Sequence, residues 1–487
     1  MTVIVQPPKD SNSNPQPIAY DQDTGKVIVD SNGYVLNGGQ RLINVPSKTS
    51  YVSTPKTQTL GFNEAVNYLS ALDGGEIIAD GHLIFPADMP SINLVSNIHI
   101  KSKNNAILDF SNLPSNRNFN IIQTLNTPTT TTYQNISLEN LIIIGPQTSS
   151  AYLAGYFTSN VALSGVSGIT LKNIIAKNIS QLNLSYNSQI FVENIFGQSN
   201  ITTLTLSICS QAVLHGIETI GDFDDSIAIN NSPNYDIAVS DIVVNKNYIN
   251  NAHGFIVGPA GNGRITISNI ITKNNTYLSG TTPVGFPTSP SGQGIQLNLA
   301  SSPVGEIDAI AANLMSVNDA VATMFAGYIR IANLRLIAGS SSIQGLNINN
   351  NNTSTLVEID GLDIEGTYSS YVLGGNVTGN LIVKNYTGLP APSISTNPPV
   401  SATVYQNTNP YAIEIDLPVY ATTAGTAGYV TVAKGSTDTP TAIGNQYVSG
   451  DTSDTSEQII RLRVPANWYY EFTASGVTFG TASVFAD

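Results

Sequence analysis

The chain has 487 residues, of which only 11% are Asp, Glu, Lys or Arg, and its formal net charge is −14 at pH 7. An acidic chain without a basic run excludes nucleic acid as a partner, because phosphate binding requires clustered Lys and Arg. The single cysteine, Cys209, cannot form an intramolecular disulfide, and no apolar segment predicts a secretory signal or membrane insertion.

The N-terminal region precedes any regular repeat. Residues 1–50 are at first rich in Pro, Asn and Ser and then predict a hairpin or an extended pair around Lys26 to Leu36, so we expect an attachment arm. A helical spacing of apolar residues follows, and Asp73-Gly74-Gly75 ends it. The residues on this helical face are Phe62, Ala65, Val66, Leu69 and Leu72. This segment predicts a helix that caps the next domain.

One pattern then recurs along residues 51–390. An alternating apolar strand leads to Asn, Gly or Asp, and Ile or Leu then begins a second strand. Copies begin at Ile136, Ile169, Ile190, Val213, Ile237, Ile265, Ile329 and Val357. Most are about 20 to 28 residues apart, which is typical of one solenoid coil, whereas a propeller blade needs about 40. Strands so close together leave no room for crossover helices, so we predict an all-β, right-handed, single-stranded parallel β-helix.

The residue pattern changes after the repeat. Residues 391–404 are rich in Pro and predict a linker. Residues 405–487 contain segments that alternate apolar and polar residues, as half-buried antiparallel strands do. We therefore expect a small β-sandwich tip domain with Trp468, the only tryptophan, in its core.

The candidate chemistry lies in two neighbouring repeats. Asp224 and Asp225 are adjacent, and His253 follows a little over one repeat later. Paired carboxylates and a histidine can supply the general acid and base that cleave a glycosidic bond. A structural interpretation stays open, because an Asp pair in a turn can cap backbone N–H groups and a lone His can simply pack. No cluster has metal-ligand spacing and no phosphate loop is present, so we expect no metal and no cofactor.

Three features carry a resemblance to a known superfamily: the capping helix, the first strand Glu76-Ile77-Ile78-Ala79-Asp80-Gly81, and the coils with Asp224-Asp225 and His253-Gly254. With these features the chain resembles the pectate-lyase-like β-helix superfamily, and polygalacturonases in particular. The resemblance implies an inverting glycoside hydrolase site. In that site Asp224 is the acid, Asp225 shares the base role with an Asp of the preceding coil, and His253 is the third catalytic residue.

The chain departs from this family pattern at three positions. Thr203 stands where the family has the preceding Asp, and a threonine cannot act as a general base. Gln296 and Asn298 stand where the family has Arg and Lys, so the site cannot pair with a uronate carboxylate. We expect Thr203, Gln296 and Asn298 to bind a neutral sugar. Asp222 is expected to do the same, and Asp222 or Glu218 could replace the missing base.

The order of arm, β-helix and terminal sandwich resembles viral spike and tail-fibre proteins. The resemblance implies a homotrimer on the virion or extracellular surface of a phage or archaeal virus, attached through the N-terminal arm to other virion proteins. Its partner would be a host-surface polysaccharide or glycoprotein. Two alternatives stay open, an active polysaccharide-degrading glycoside hydrolase and a structural or decoration protein of a virion or cell surface.

Overall fold

A computed structural model describes most of the chain. The described residues are 20–21, 26–29, 35–37, 40–41, 59–71, 73–124, 132–230, 234–246, 253–258, 262–274, 293–298, 309–317, 322–326, 328–338, 344–348, 356–368, 371–375, 381–388, 399–409, 411–423, 426–448 and 457–486. Neither helix within these ranges has the length and apolar character needed to cross a membrane.

Short elements precede the coils. They are β1 (Tyr20–Asp21), β2 (Lys26–Val29), β3 (Val35–Asn37), β4 (Gln40–Arg41) and α1 (Phe62–Ser70). The first coils contain β5 (Gly75–Ala79), β6 (His82–Ile84), β7 (Ile92–Leu94), β8 (Ile98–Asp109), β9 (Asn120–Thr124), β10 (Tyr133–Ile144) and the short helix α2 (Ser149–Leu153).

Short and long strands alternate in the coils that follow. These strands are β11 (Asn160–Ser164), β12 (Val166–Lys177), β13 (Leu182–Ser185), β14 (Ser188–Gln198), β15 (Leu204–Ser207), β16 (Ser210–Ile220), β17 (Ile227–Asn230), β18 (Asn234–Lys246), β19 (His253–Val257), β20 (Asn262–Asn274), β21 (Gln293–Asn298), β22 (Ala309–Val317), β23 (Ala322–Ala326), β24 (Tyr328–Ile337), β25 (Gln344–Ile348), β26 (Leu356–Glu365), β27 (Tyr371–Gly375) and β28 (Leu381–Thr387).

The last part of the chain forms eight further strands. They are β29 (Thr403–Gln406), β30 (Ile413–Ala421), β31 (Gly428–Gly435), β32 (Thr441–Val448), β33 (Glu457–Val464), β34 (Tyr469–Ser475), β35 (Val477–Phe479) and β36 (Ser483–Ala486).

The coils stack by parallel pairing. The short strands β7 to β27 form one sheet of eleven strands, in which each strand pairs with that of the next coil, and the long strands β8 to β28 pair in the same way in a second sheet. The inward Ile, Leu and Val side chains of both sheets form one continuous core. Because parallel crossovers are right-handed, this arrangement confirms the predicted right-handed parallel β-helix.

Each long strand bends at one residue with left-handed backbone. Asn140, Asn173 and Asn194 occupy this position with φ of 58°, 53° and 54°. The Asn173 Nδ2 donates to Asn140 Oδ1 at 2.7 Å, and Asn194 Nδ2 donates to Asn173 Oδ1 at 3.0 Å. Gly216 and Gly361 take the equivalent place on other coils with positive φ. The recurring Asn and Gly of the sequence therefore mark the bend, because both residues tolerate this conformation.

The N-terminal end of the stack carries the predicted helix. Helix α1 buries Phe62, Val66 and Leu69 against the first coil, whereas Leu72 lies outside the described residues. The predicted hairpin is present as β2 and β3, and β2 also pairs in parallel with β5. This part of the arm therefore extends the β-helix sheet.

The C-terminal strands form two antiparallel sheets, ordered β29-β34-β31-β32 and β33-β30-β35, with β36 also paired to β30. They share one core that includes Leu417 and Phe472, and Trp468 packs against it. Tyr386 of the last coil meets Tyr411 of this sandwich at a ring-centroid distance of 4.9 Å. Strand β29 begins at Thr403, inside the segment predicted as a linker, and residues 389–398 lie outside the described residues.

Candidate functional site

The sheet of short strands has an uncharged outer face. None of its eleven described strands contains Asp, Glu, Lys or Arg. Side chains on the face opposite to the core lie in register from coil to coil, and the ladder runs Gln123, Ala162, Asn183, Thr205, Ala228, Ile256 and Gln296. Amide and hydroxyl groups thus flank a short apolar stretch at Ala228 and Ile256, and the charged groups next to these strands come from the turns.

Residues 221–226 form the turn between β16 and β17. Its backbone is held by the preceding coil, because the Phe223 N–H donates to the Asn200 carbonyl at 2.8 Å and the Asp224 N–H to the Ile201 carbonyl at 2.9 Å. The Ser226 N–H donates to the His253 carbonyl of the following coil at 3.1 Å. Stacking on both sides therefore fixes the direction in which each carboxylate of the turn points.

Asp225 and His253 lie on adjacent coils, and their side chains contact each other. Asp225 Oδ1 accepts the His253 backbone N–H at 2.7 Å and the ring Nδ1–H at 2.9 Å. The two side chains remain 24% and 17% exposed. Asp225 Oδ1 is the shared acceptor of this pair, and the ring Nδ1 is the nitrogen that donates to it.

Asp222 and Thr203 are completely buried. Asp222 accepts the Asn200 N–H at 3.2 Å and the Thr203 hydroxyl at 2.8 Å. A Cβ atom at position 197 would lie 1.9 Å from Thr203 Oγ1, so Gly197 makes room for this pair. Neither side chain reaches the surface, so the structure does not support the expected contact of Asp222 and Thr203 with a sugar.

The remaining sequence-predicted residues lie on two different sheets. Gln296 is on β21, in register with Ile256, and is 8% exposed. Asn298 is the last residue of β21, and its side chain lies outside the described part of the structure. Glu218 lies on the exposed face of the long strand β16, on the other sheet from β17, and is therefore not positioned as a base beside Asp224.

Tyr152 lies on α2, and no sequence pattern links it to the turn. Burial raises the pKa of Tyr152, and the carboxylates of Asp224 and Asp225 raise it further. The phenol therefore stays protonated.

The assembled groups are a set of fixed hydrogen-bonding partners. Asp224 and Asp225 present carboxylate oxygens next to an uncharged sheet face, and Phe157, 39% exposed, packs edge-on against Tyr152 with ring centroids 6.4 Å apart. Carboxylates accept from sugar hydroxyls, and aromatic rings pack on the apolar faces of sugars. Among the described side chains, no group of three or more His, Cys, Asp or Glu could hold a metal ion.

Comparison with known proteins returns similarity of structure only. No family model matches the chain, and no curated protein matches it. A hyperthermoactive exopolygalacturonase from Thermotoga maritima is 12% identical and matches over 76% of this chain and 93% of that chain, with a TM-score of 0.43. A tailspike protein mutant of E. coli bacteriophage HK620, solved with a hexasaccharide, is 9% identical over 94% and 93%, with a TM-score of 0.45.

A third solved structure, the A-module of a mannuronan C-5 epimerase from Azotobacter vinelandii, is 11% identical over 68% of this chain and 95% of that chain, with a TM-score of 0.33. At these identities the similarity concerns the fold alone. The chain has a parallel β-helix fold, and its own parallel strand pairing is the evidence for it.

Proposed function

We propose that the protein is a spike or tail-fibre protein of a phage or archaeal virus that binds a neutral host-surface glycan at Asp224, Asp225 and His253 without cleaving it. The observation that carries this proposal is the contrast between the turn and the sheet beside it. Hydrogen-bonding carboxylates lie next to a face whose described strands contain no charged residue. Such a surface suits hydroxyl groups and offers no cation for a uronate.

The buried Thr203–Asp222 pair argues against hydrolysis. An inverting enzyme needs one carboxyl to protonate the leaving oxygen and another carboxylate to activate water. Thr203 occupies the position of the second base. The carboxylate that contacts Thr203 is Asp222, which is buried and accepts the Thr203 hydroxyl.

The spike part of the proposal rests on chain organisation. β2 continues the stack at one end, and the sandwich packs on the last coil at the other, so the β-helix separates the arm from the tip. On the outer face of the long sheet, Phe191 and Val213 are in register on adjacent strands and are 39% and 45% exposed. The homotrimer is part of this proposal, and we place Phe191 and Val213 in the contact between its chains. Light scattering should then give three times the chain mass of 51.5 kDa.

Binding and cleavage can be measured together. Wild-type protein should bind a host-surface polysaccharide or a neutral oligosaccharide on a glycan array and release no reducing sugar. Asp224→Asn should weaken that binding about tenfold, because a charge-assisted hydrogen bond contributes about 1.5–3 kcal/mol. Glu218→Gln, on the other sheet, is the matched control and should bind as wild type does.

The alternatives predict other results. Reducing-sugar release by wild type that Asp224→Asn abolishes would establish the polysaccharide-degrading hydrolase instead. A protein that neither binds nor cleaves any glycan, but assembles into a lattice, would be the structural or decoration protein.

A further inference from the structure

The His253 residue is fastened to the preceding turn through both its backbone and its ring. Asp225 Oδ1 accepts the His253 backbone N–H at 2.7 Å and the ring Nδ1–H at 2.9 Å. The His253 carbonyl in turn accepts the Ser226 N–H at 3.1 Å, so the two coils are joined in both directions. The place of His253 in the stack and the direction of its ring are therefore both set by residues 225 and 226.

This arrangement decides which ring nitrogen carries the proton. An ionised carboxylate can only accept hydrogen bonds, and Oδ1 already accepts a backbone N–H. The Nδ1 atom that lies against the same oxygen is therefore the protonated nitrogen. In a neutral imidazole the other nitrogen is then an acceptor, and the hydrogen bond at Nδ1 is what fixes this tautomer. Asp225 thus leaves a lone pair on His253 Nε2.

The fold does not use this lone pair. Among the residues that the structure describes, none forms a hydrogen bond or an ion pair with His253 Nε2, and the side chain remains 17% exposed. His253 begins β19, and that strand continues into the uncharged outer face, where Ile256 lies in register with Gln296. An acceptor without a partner therefore lies at the edge of the face that we propose to bind glycan.

Acceptors predominate where the turn meets this face. The turn that contacts His253 also carries the Asp224 carboxylate, whereas the described strands of the short sheet contain no Lys or Arg. A free hydroxyl group can donate to such acceptors, but the oxygen of a methyl ether or an ester carries no hydrogen and cannot. The arrangement therefore favours a ligand with unsubstituted hydroxyl groups.

We propose that Asp225 is a positioning residue that fixes His253 as the Nδ1–H tautomer, and that His253 Nε2 accepts a hydrogen bond from a free hydroxyl group of the glycan. This inference rests on the proposed glycan-binding function and adds a specificity to it. The glycan must carry an unsubstituted hydroxyl at the position that meets Nε2, and O-methylation or O-acylation of that hydroxyl prevents the contact.

The tautomer can be measured without any glycan. The chain has four histidines, so the resonances of His253 in full-length protein labelled with ¹⁵N at the His rings are those absent from His253→Asn. At neutral pH we expect a protonated Nδ1 and an unprotonated Nε2. Asp225→Ala should lose this preference, whereas Asp225→Asn should keep it, because an amide oxygen can still accept both N–H groups. A wild-type ring with its proton on Nε2, or with both nitrogens protonated, would overturn the proposal.

Glycan affinity tests the role of Nε2. His253→Asn keeps an N–H for Asp225 and removes the acceptor at Nε2, so it should bind the glycan about fivefold more weakly than wild type. His253→Gln, whose amide oxygen can take the place of Nε2, should recover part of this loss. His215→Asn makes the same change on the long strand β16, where the ring contacts Ser240, and should bind as wild type does. Equal affinity of His253→Asn and wild type would overturn the role of Nε2.

Changing the glycan supplies a third readout. In a series with one hydroxyl methylated at a time, wild type should bind one member about fivefold more weakly than the parent glycan, whereas His253→Asn should bind that member and the parent equally. If every member weakened both proteins to the same extent, the hydroxyl contact would be wrong. A protein that has the expected tautomer but binds no glycan would refute the proposed function, and with it the role of Nε2, while leaving the pairing of Asp225 with His253 intact.

Discussion

Asp222 and Asp225 lie three residues apart in one turn and have opposite environments. Asp222 is completely buried and accepts hydrogen bonds from Asn200 and Thr203 of the preceding coil. Asp225 remains partly exposed and accepts two from His253 of the following coil. The first carboxylate joins coils inside the stack, and the second joins coils at its surface, so only the second is available to a ligand.

The interior of the turn accommodates a single carboxylate. Asp222 accepts the buried Thr203 hydroxyl at 2.8 Å. A carboxylate at position 203 would place two like charges in contact, which is costly in a buried site. Thr203 therefore allows Asp222 to remain buried in the turn.

The largest effect is expected from Asp222→Ala. Removing a buried carboxylate leaves the Asn200 N–H and the Thr203 hydroxyl without this acceptor, and each buried donor left unsatisfied costs about 1–3 kcal/mol. Denaturant unfolding followed by circular dichroism measures the change in the free energy of unfolding. Glu218→Gln, an exposed control, should stay within about 0.5 kcal/mol of wild type. A loss below about 1 kcal/mol for Asp222→Ala would remove the distinction between the two carboxylates.

A smaller loss is expected from Thr203→Val, which keeps the side-chain shape and removes the hydroxyl donor to Asp222. We expect a loss of about 1–3 kcal/mol in the free energy of unfolding, because one buried acceptor loses a partner. Combining it with Asp222→Ala in a double-mutant cycle should cost less than the sum of the two single changes, since both remove the same hydrogen bond. Strict additivity would show that the 2.8 Å contact contributes nothing.

The smallest loss of stability is expected from Asp225→Asn. An amide oxygen can still accept both N–H groups of His253, so the free energy of unfolding should fall by less than about 1 kcal/mol. The affinity for glycan should nevertheless fall about tenfold, because a charged acceptor is replaced by a neutral one. Calorimetric titration and denaturant unfolding on the same sample measure both quantities. If Asp225→Asn lost as much stability as Asp222→Ala and kept its affinity for glycan, the roles assigned to Asp222 and Asp225 would be wrong.

Much of the fold was predictable because it repeats. Asn173 and Asn194 recur at the end of the same apolar pattern, and the structure stacks them as successive donors along one bend. The pairing of Asp225 with His253 was predictable for the same reason, since residues about one coil apart become neighbours in a solenoid. Sandwich strands followed from clean alternation, as at Ile413 to Val419.

The contacts that do not repeat were not predictable. Tyr152 and Asp224 are 72 positions apart in the chain, so no periodicity of the sequence indicates that Asp224 raises the pKa of Tyr152. The burial of Asp222 was equally hidden, because its inward direction is set by the backbone bonds that Phe223 and Asp224 make to the preceding coil. Sequence reasoning therefore grouped Asp222 with the exposed carboxylates.

The coil follows from the sequence alone, since its period of apolar strands and Asn or Gly turns permits little other than stacked parallel strands. The same period places Asp224, Asp225 and His253 on neighbouring coils. The sequence does not specify which carboxylates of the turn are buried and which are partly exposed. That difference arises in the folded chain, because side-chain direction within a turn depends on contacts with other coils that share no sequence pattern with it.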